Sequence, residues 1–257
     1  VAPLIRPAFA GLTASAVQTY DYAQRFIALG TPASCVQVLD TMKWDTAVVS
    51  DHVEGAEDLA LAMGIDRHRP IVVAGSTGPG EEQLLMETCP PEAQLVLAPR
   101  KPERFDAVAE LDPTITRRSQ HPDGTVCAVA AETRLFLLDT IGELRKAYCL
   151  ADVVIVGRSF LGLYGSNVLE PIALGKATII GPFHDDFADI VSVLRSHRGI
   201  EVSDQPGLAA AELLADAPRA LRLARAGHDV ILSRQGASRR HAELLLQLMP
   251  DKPGTRR

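Results

Sequence analysis

The sequence predicts an α/β fold built around a doubly wound parallel sheet. Two short β-branched runs, Val153 to Val156 and Ala177 to Ile180, each end at a glycine and are separated by a Gly-rich loop and a helix. Runs of this kind are typical of buried parallel strands. From Pro70 onward, strands and helices alternate regularly, which indicates crossover connections and helices on both faces of one sheet.

The segment 152–183 contains the features that most favour a binding site. Three glycines lie in its loop: Gly157, Gly162 and Gly165. They precede Asn167 and a helix that ends at Gly175. Such a loop directs backbone N–H groups and a helix N-terminus at one point, which suits a phosphate. Glu170, in the first turn, can accept hydrogen bonds from two ribose hydroxyls. The alternative is an ordinary βαβ crossover with an N-capped helix.

Composition excludes several classes of protein. With 257 residues, 47% hydrophobic and 23% charged, the chain resembles an ordinary globular protein. The formal net charge of −6 gives no reason to expect nucleic acid as a partner. No apolar run reaches the roughly 18 residues of a membrane span, so a soluble chain is expected. The four cysteines form no CxxC pair, which predicts reduced core thiols: Cys35, Cys89, Cys127 and Cys149.

Upstream of Pro70 the pattern is sparser. Residues 12–38 contain one αβ unit, with a helix expected from about Ala16 to Leu29 and a strand from Cys35 to Leu39. One such unit cannot bury both of its faces alone. We therefore expect the chain to be the C-terminal part of a longer protein that lacks most of a first domain.

Downstream of Pro70 the elements can be placed one by one. Strands are expected at Ile71 to Ala74, Gln94 to Ala98, Ile115 to Arg118, Val126 to Ala130, Thr133 to Leu138 and Gly199 to Val202, besides the two central strands. Helices are expected up to Thr88 and Leu111 and at 139–150, 185–196, 208–214, 219–233 and 237–248, followed by a disordered charged tail.

Ligands of such sheets bind beyond the C-terminal ends of the strands, and several loops there carry suitable groups. Ser76 and Thr77 suit a phosphate, although Ser/Thr capping with Glu81 and Glu82 answering the helix dipole explains the same residues. Arg100 directly follows a strand, where a buried guanidinium needs an anionic partner. Arg104, one helical turn later, is more typical of a surface or structural ion pair.

The loop DTIGEL, residues 139–144, combines a helix start with an accessible backbone. Asp139 or Thr140 can cap the helix, and Gly142 leaves backbone groups near Ile141 open to the edge of a base. A plain helix start explains the segment equally.

Together these loops resemble a known family. The blocks TMKWD, GSTGPGEE, APRKPERF, LLDTIGELRKAY and NVLEPIALGKA occur in the order and spacing of the C-terminal half of the Kdo transferases. These are GT-B glycosyltransferases that transfer 3-deoxy-D-manno-octulosonic acid (Kdo) from CMP-Kdo to a lipid A precursor of lipopolysaccharide. The resemblance extends over residues 8–248.

The resemblance implies a domain plan and a cellular location. Residues 1–45 would end the N-terminal acceptor domain, 46–69 would link the domains, 70–235 would bind the nucleotide sugar, and 236–257 would pack back toward the N-terminal domain. The catalytic base would lie in that missing domain. The full-length protein would act at the cytoplasmic face of the inner membrane, which it would contact through its N-terminal part.

The resemblance also assigns site residues. Ser76 and Thr77 would contact the donor phosphate, and Arg100 would clamp an anion. The turn of Ile141, Gly142 and Glu143 would face the cytosine. The loop and helix after the central strand would hold the phosphate and ribose through Gly165, Ser166, Asn167 and Glu170. Lys43 would lie near the interdomain cleft. No metal or other cofactor is expected, because no Asp-x-Asp cluster accompanies these loops.

The sequence departs from the family at several of these positions. The family has His at Gly78, Gly at Arg158 and Pro at Val168, and it has GGHN where this chain has Tyr164, Gly165, Ser166 and Asn167. His184 is a candidate replacement for a missing His, or else a solvated bystander. Donor affinity or sugar specificity can therefore differ. Two alternatives stay open: another GT-B enzyme that uses a UDP-sugar, either a transferase or an epimerase, and a non-catalytic nucleotide-sugar-binding homologue.

Overall fold

The computed structural model describes residues 2–122, 124, 126, 127 and 133–249. The chain divides into two compact units. The smaller unit comprises residues up to Ala47 together with those from Ser233 onward, and the larger unit comprises Val48–Leu232.

The described residues form eleven helices and nine strands. The helices are α1 (Ala2–Ala10), α2 (Tyr20–Leu29), α3 (Ala56–Met63), α4 (Glu81–Thr88), α5 (Phe105–Ala109), α6 (Leu144–Leu150), α7 (Leu169–Ala173), α8 (Ala188–Ser196), α9 (Pro206–Ala215), α10 (Ala217–Arg234) and α11 (Ala237–Leu248). The strands are β1 (Ser15–Val17), β2 (Val36–Val38), β3 (Ile71–Thr77), β4 (Gln94–Pro99), β5 (Thr116–Arg117), β6 (Leu135–Leu137), β7 (Val153–Val156), β8 (Ala177–Ile180) and β9 (Glu201–Val202).

In the smaller unit, β1 and β2 pair in parallel and are connected through α2. The segment TMKWD forms a 3-10 turn, Met42–Thr46, that holds the start of α11. Asp45 accepts hydrogen bonds from the backbone N–H groups of Gly236 and Ser238, both at 2.5 Å. Burial alone would raise the pKa of Asp45, but these bonds keep it below its ordinary value. A carboxylate at this point satisfies N–H groups that a helix start leaves open.

The larger unit contains one seven-stranded sheet in the order β5-β6-β4-β3-β7-β8-β9, with every neighbouring pair parallel. After β3 the chain places β4, β5 and β6 on one side of it, with β6 between β4 and β5, and then returns to place β7 against the other side of β3. The strand order therefore reverses between β3 and β7. In open α/β sheets, a crevice forms beyond the strand ends at such a switch point.

The core of the larger unit lies on both faces of this sheet. Side chains alternate along each strand, so Val72 and Ala74 pack on one face with Leu85 of α4 and Ala210 of α9. On the other face, α6 packs against β3, α3 and α7. Strands β4, β6, β7 and β8 are buried at every position, as their continuous apolar sequence predicts. The predicted doubly wound α/β fold is confirmed.

The structure corrects several predicted element bounds. Residues 15–17 form β1 rather than the start of a helix, and α2 begins only after Thr19, whose hydroxyl accepts from the Tyr22 N–H at 3.4 Å. The helix expected from Asp139 begins at Leu144. Helix α1 is an addition to the predicted elements and forms with Pro7 inside it.

Other predictions concern residues at the edge of what is described. The expected strand Val126 to Ala130 lies mostly outside the described residues, and the charged tail from 250 onward lies wholly outside them. Of residues 46–69, expected as a linker, the first two lie in the smaller unit, and 48–69 contain α3 and lie in the larger unit. The assignment of the two units to acceptor and donor domains stays a prediction.

Two further observations bear on the class of protein. All four cysteines are free, and only Cys89 is fully buried, so the expectation of core thiols holds for that residue alone. Burial raises the pKa of the Cys89 thiol to about 12. Among the helices of the described ranges, none combines the length and apolarity that crossing a bilayer requires.

Gly75, near the end of β3, tests the packing at the switch point. A methyl group there would lie 2.0 Å from the hydroxyl oxygen of Tyr148, a fully buried side chain of α6. We expect Gly75→Ala to lower the free energy of unfolding by about 1 to 3 kcal/mol, because overpacking displaces the ring or the strand. Urea denaturation measures this change.

Gly175→Ala is the matched control. Gly175 has a φ of 66°, and an added methyl would meet open space. Its substitution should cost only the backbone term of about 1 kcal/mol. A Gly75→Ala variant no less stable than Gly175→Ala would contradict the close packing of Tyr148 on β3.

Candidate functional site

The parallel sheet brings most of the predicted site residues to one edge. The loops after β3, β4, β6, β7 and β8 all lie beyond the C-terminal ends of their strands. The last two residues of β3, these loops and the first turn of α7 together contain ten of the predicted residues: Ser76, Thr77, Arg100, Ile141, Gly142, Glu143, Gly165, Ser166, Asn167 and Glu170. Lys43 belongs to the smaller unit, in the 3-10 turn, so its predicted role stays a prediction.

A buried carboxylate joins the two loops at the switch point. Glu81, at the start of α4, has no exposed surface. Its Oε2 accepts from the backbone N–H groups of Gly78 at 2.7 Å and Arg158 at 2.6 Å. Its Oε1 accepts from the N–H groups of Ser159 at 2.9 Å and Phe160 at 3.0 Å. One side chain thus fixes the loop after β7 to the loop after β3.

This arrangement corrects the predicted use of the Gly-rich loop. The sequence suggests that its first backbone N–H groups point at a phosphate, yet those of residues 158–160 bind the protein's own Glu81. A carboxylate satisfies such a concave group of donors as well as a phosphate does. An incoming anion must therefore use other donors.

The loop after β3 is fixed by a second carboxylate. The buried Thr77 hydroxyl donates to Glu82 at 2.5 Å, and Arg104 donates to both oxygens of Glu82 at 2.7 and 2.8 Å. The predicted structural ion pair of Arg104 is confirmed. The Thr77 hydroxyl is therefore engaged within the protein.

Ser76, Tyr148 and Glu170 form a chain of polar groups on the α6 side of the sheet. Ser76 has a φ of 57° and its side chain shares a hydrogen bond with the Tyr148 phenol. Burial, followed by the charge of Glu170, raises the pKa of Tyr148. Burial also raises the pKa of Glu170, and the nearby Arg145 offsets part of that shift. Glu170 is only half-buried, so it remains accessible.

The stretch Gly165–Glu170 enters α7 through an Asx turn. Asn167 is exposed, and its Oδ1 accepts from the Leu169 N–H at 3.0 Å, which leaves its amide group toward solvent. The Ser166 hydroxyl is buried and has no hydrogen-bond partner among the described residues. Gly165 has a φ of 84°, and a side chain there would collide with His184. This collision explains glycine at position 165.

Arg100 differs from its prediction. Its side chain is exposed rather than buried, and no anionic partner for it exists among the described residues. It borders a cleft of about 680 Å³ beside the loops after β3, β4 and β7, which we call the basic cleft. The cleft is lined by Thr77, Gly78, Pro79, Arg100, Lys101, Glu103, Arg104, Arg158 and Leu163.

The loop after β6 combines an open backbone with a fixed carboxylate. Gly142 has a φ of 89° and open space around it, and the Ile141 side chain is exposed. Glu143 accepts from Arg118 through two bonds of 3.0 Å and from the Thr140 hydroxyl at 2.6 Å. Burial alone would raise the pKa of Glu143, but these partners hold it below its ordinary value.

Asp139 and Thr140 do not cap α6 as expected. Asp139 instead accepts from the Ser119 N–H and hydroxyl and from Arg117, at 2.6 to 2.7 Å. These bonds anchor the loop to β5 and delay the start of the helix to Leu144. His184 bonds to the carbonyl of Gly181 through Nδ1 at 2.8 Å. That bond gives it a local role in the loop after β8.

Sequence reasoning missed the importance of Glu81, Tyr148 and Arg158. In the sequence, the helix dipole is a sufficient explanation for Glu81 and Glu82, and Arg158 stands out only as a departure from the family pattern. In the described part of the chain, no group of three or more His, Cys, Asp or Glu side chains is arranged to hold a metal ion.

Comparisons with known proteins agree with the resemblance seen in the sequence. The chain is 29% identical over 244 residues to a 3-deoxy-D-manno-octulosonic acid transferase of Haemophilus influenzae, covering 90% of this chain. It is 29% identical over 254 residues to the protein of that name from Bordetella pertussis, covering 94% of this chain. The chain spans 56% and 58% of the length of these relatives. No protein-family model matches it.

Comparison with solved structures also finds a similarity to this group of transferases. The C-terminal CMP-Kdo binding domain of WaaA from Acinetobacter baumannii matches 69% of this chain and 96% of that domain, with 28% identity and a TM-score of 0.62. Anabaena Alr3699/HepE, solved with UDP and glucose, matches 92% of this chain and 63% of its own, with 15% identity and a TM-score of 0.57, which shows the fold alone. The resemblance to the Kdo transferases and the GT-B type of fold are confirmed.

Substitution of Glu81 tests whether its carboxylate holds the loops after β3 and β7 together. In Glu81→Gln, an amide NH₂ replaces one acceptor oxygen and faces backbone donors that then have no partner. We expect a loss of about 2 to 4 kcal/mol in the free energy of unfolding, because buried unsatisfied groups are costly. Thermal and urea unfolding measure it.

Glu87→Gln, on the exposed face of the same helix, is the matched control. Glu87 accepts only from the exposed Gln83, so its substitution should change stability by less than about 0.5 kcal/mol. Equal stability of the two variants would show that Glu81 does not hold the loops together.

Proposed function

We propose that this chain is the donor-binding part of a glycosyltransferase that transfers Kdo from CMP-Kdo to a lipid A precursor. The observation that carries the proposal is the 28% identity to a CMP-Kdo binding domain, of which the chain matches 96%. The catalytic base and the contacts with the acceptor and with the inner-membrane surface would belong to the N-terminal part of the whole protein.

The nucleotide would bind at the C-terminal edge of the sheet. Glu170 would accept hydrogen bonds from the ribose hydroxyls, since it is accessible and close enough to Tyr148 to raise the pKa of the phenol. The open backbone at Ile141 and Gly142 would read the base, while Arg118 keeps the Glu143 side chain turned to the protein. Backbone and side-chain groups of Ser166 and Asn167 would hold the phosphate beside Ser76, while the Gly165 N–H donates to the carbonyl of Arg158 at 2.7 Å and keeps the loop closed.

Recognition of the base distinguishes this proposal from an enzyme that uses a UDP-sugar. Cytosine presents a donor amino group where uracil presents an acceptor oxygen, so a fixed backbone cannot satisfy both equally. We expect the chain to bind CMP at least about tenfold more tightly than UMP, which carries the same phosphate. Isothermal titration calorimetry compares the two.

The titration should give the same result in EDTA and in Mg²⁺. In our proposal the phosphate is held by backbone groups and side chains, without a cation bridge. Tighter binding of UMP would favour a UDP-sugar enzyme. A strict requirement for Mg²⁺ would contradict the proposed binding mode.

Glu170 provides the second test. We expect Glu170→Gln to weaken CMP binding by about 1.5 to 3 kcal/mol, the range for hydrogen bonds to a charged acceptor. The carboxylate form accepts both hydroxyls, so wild-type affinity should fall as the pH is lowered through the raised pKa of Glu170. In the variant that contribution to the pH profile should vanish, while titration of the CMP phosphate affects both proteins equally.

Stability separates a binding role from a structural one. Because the folded-state pKa is raised, Glu170 favours folding only while it is protonated and loses this contribution as the pH rises through that pKa. Glu170→Gln should therefore be no less stable at pH 7 than the wild type. Glu92→Gln, an exposed carboxylate before β4 at the opposite edge, is the control for affinity. A large loss of stability with unchanged affinity would make Glu170 a structural residue.

A further inference from the structure

The basic cleft contains more positive charge than the protein itself neutralises. Four cationic side chains line it, with one carboxylate: Arg100, Lys101, Arg104, Arg158 and Glu103. Its volume of about 680 Å³ lies in the range of sites that hold small organic ligands. The cleft is therefore large enough for a sugar acid, well beyond the size of a single phosphate.

Two of these cations are already paired. Arg104 donates twice to the buried Glu82. Lys101 lies 3.8 Å from Glu103, but both side chains are mostly exposed and such a pair is weak. Arg100 and Arg158 form no side-chain hydrogen bond or ion pair with any residue that the structure describes. Within the described ranges, two guanidinium groups beside one cleft thus lack an anionic partner.

The backbone of Arg158 adopts a conformation that favours glycine. Its φ is 59°, in the left-handed region, and its N–H is held by Glu81 at 2.6 Å. Its Cγ lies 3.4 Å from the position that a Cβ on Gly78 would occupy, so the side chain extends over the wall of the cleft. Strained positions of this kind concentrate at functional sites. The main chain here offers nothing to an anion, whereas the side chain does.

We propose that Arg158 is a specificity-determining residue that, together with Arg100, binds the carboxylate of the sugar part of the donor. The inference rests on the proposed function, which makes the donor a nucleotide-linked sugar acid. A guanidinium group binds a carboxylate through two parallel hydrogen bonds, a geometry that an uncharged sugar does not offer. The nucleotide phosphate carries similar chemistry, so the experiment has to distinguish the two anions.

The experiment compares the binding of CMP-Kdo and CMP to the wild type and to Arg158→Gly. Glycine adopts a φ of 59° without strain, so the variant should fold with an unchanged or higher melting temperature. We expect CMP-Kdo to bind about 10- to 100-fold more weakly to the variant, and CMP to change by less than about twofold.

Arg198→Gly is the matched control. Arg198 is also an arginine in the left-handed region, with a φ of 58°, but it is exposed in the turn between α8 and β9. Its replacement relieves the same backbone strain and removes the same charge, but Arg198 is not among the residues that line the basic cleft. Affinity for CMP-Kdo should not change.

The possible outcomes separate the inference from the proposed function. An equal weakening of CMP and CMP-Kdo would assign Arg158 to the phosphate and overturn its role toward the sugar. Unchanged binding of both ligands to Arg158→Gly would overturn the inference and leave the proposed function intact. A wild type that binds neither ligand would overturn the proposed function, and the inference with it.

Discussion

The geometry of the candidate site depends on the buried carboxylate of Glu81. Its two oxygens accept hydrogen bonds from four backbone N–H groups. One belongs to Gly78, three residues before it, and the others belong to residues 158–160, which follow it by 77 to 79 residues. A buried charge is tolerated only where hydrogen bonds replace the water that it loses. The loops after β3 and β7 are in turn held where the strand order reverses. The crevice at this edge is therefore built around an anion that belongs to the protein.

This internal anion changes how an external one must be bound. Gly-rich loops after a buried strand commonly present their N–H groups to a phosphate. Here the first of those groups bind Glu81, and the Gly165 N–H donates to the carbonyl of Arg158 at 2.7 Å. Candidate donors for an anion are then Ser166 and Asn167, the backbone near Gly142, and the guanidinium groups of Arg100 and Arg158. Side-chain recognition is more selective than backbone recognition, because an arginine fork favours planar anions. The arrangement thus suits an acidic sugar on a nucleotide.

Three acidic residues around the site each form an ion pair with an arginine. Glu82 with Arg104, Asp139 with Arg117, and Glu143 with Arg118 each place an acidic residue against an arginine from another segment of the chain. Breaking such a partly buried pair leaves an uncompensated charge, so each pair holds two segments together. Glu170 is different, since its pKa is raised by burial and only partly offset by Arg145. A group held in this poorly solvated state gains from a ligand that donates hydrogen bonds to it.

The sequence by itself determined the strands of the larger unit, because continuous apolar runs such as those of β7 and β8 fit only a sheet covered on both faces. It also determined which loops face the site, since parallel strands bring all their C-terminal ends to one edge. Only the tertiary structure decided which polar groups remain free. Thr77 and Glu143 carry suitable chemistry in the sequence, but Glu82, five residues away, binds the Thr77 hydroxyl, and Arg118, 25 residues away, binds the Glu143 carboxylate. Among the described residues no carboxylate pairs with Arg100 or Arg158, and this depends on distances between chain segments that a local sequence pattern does not specify.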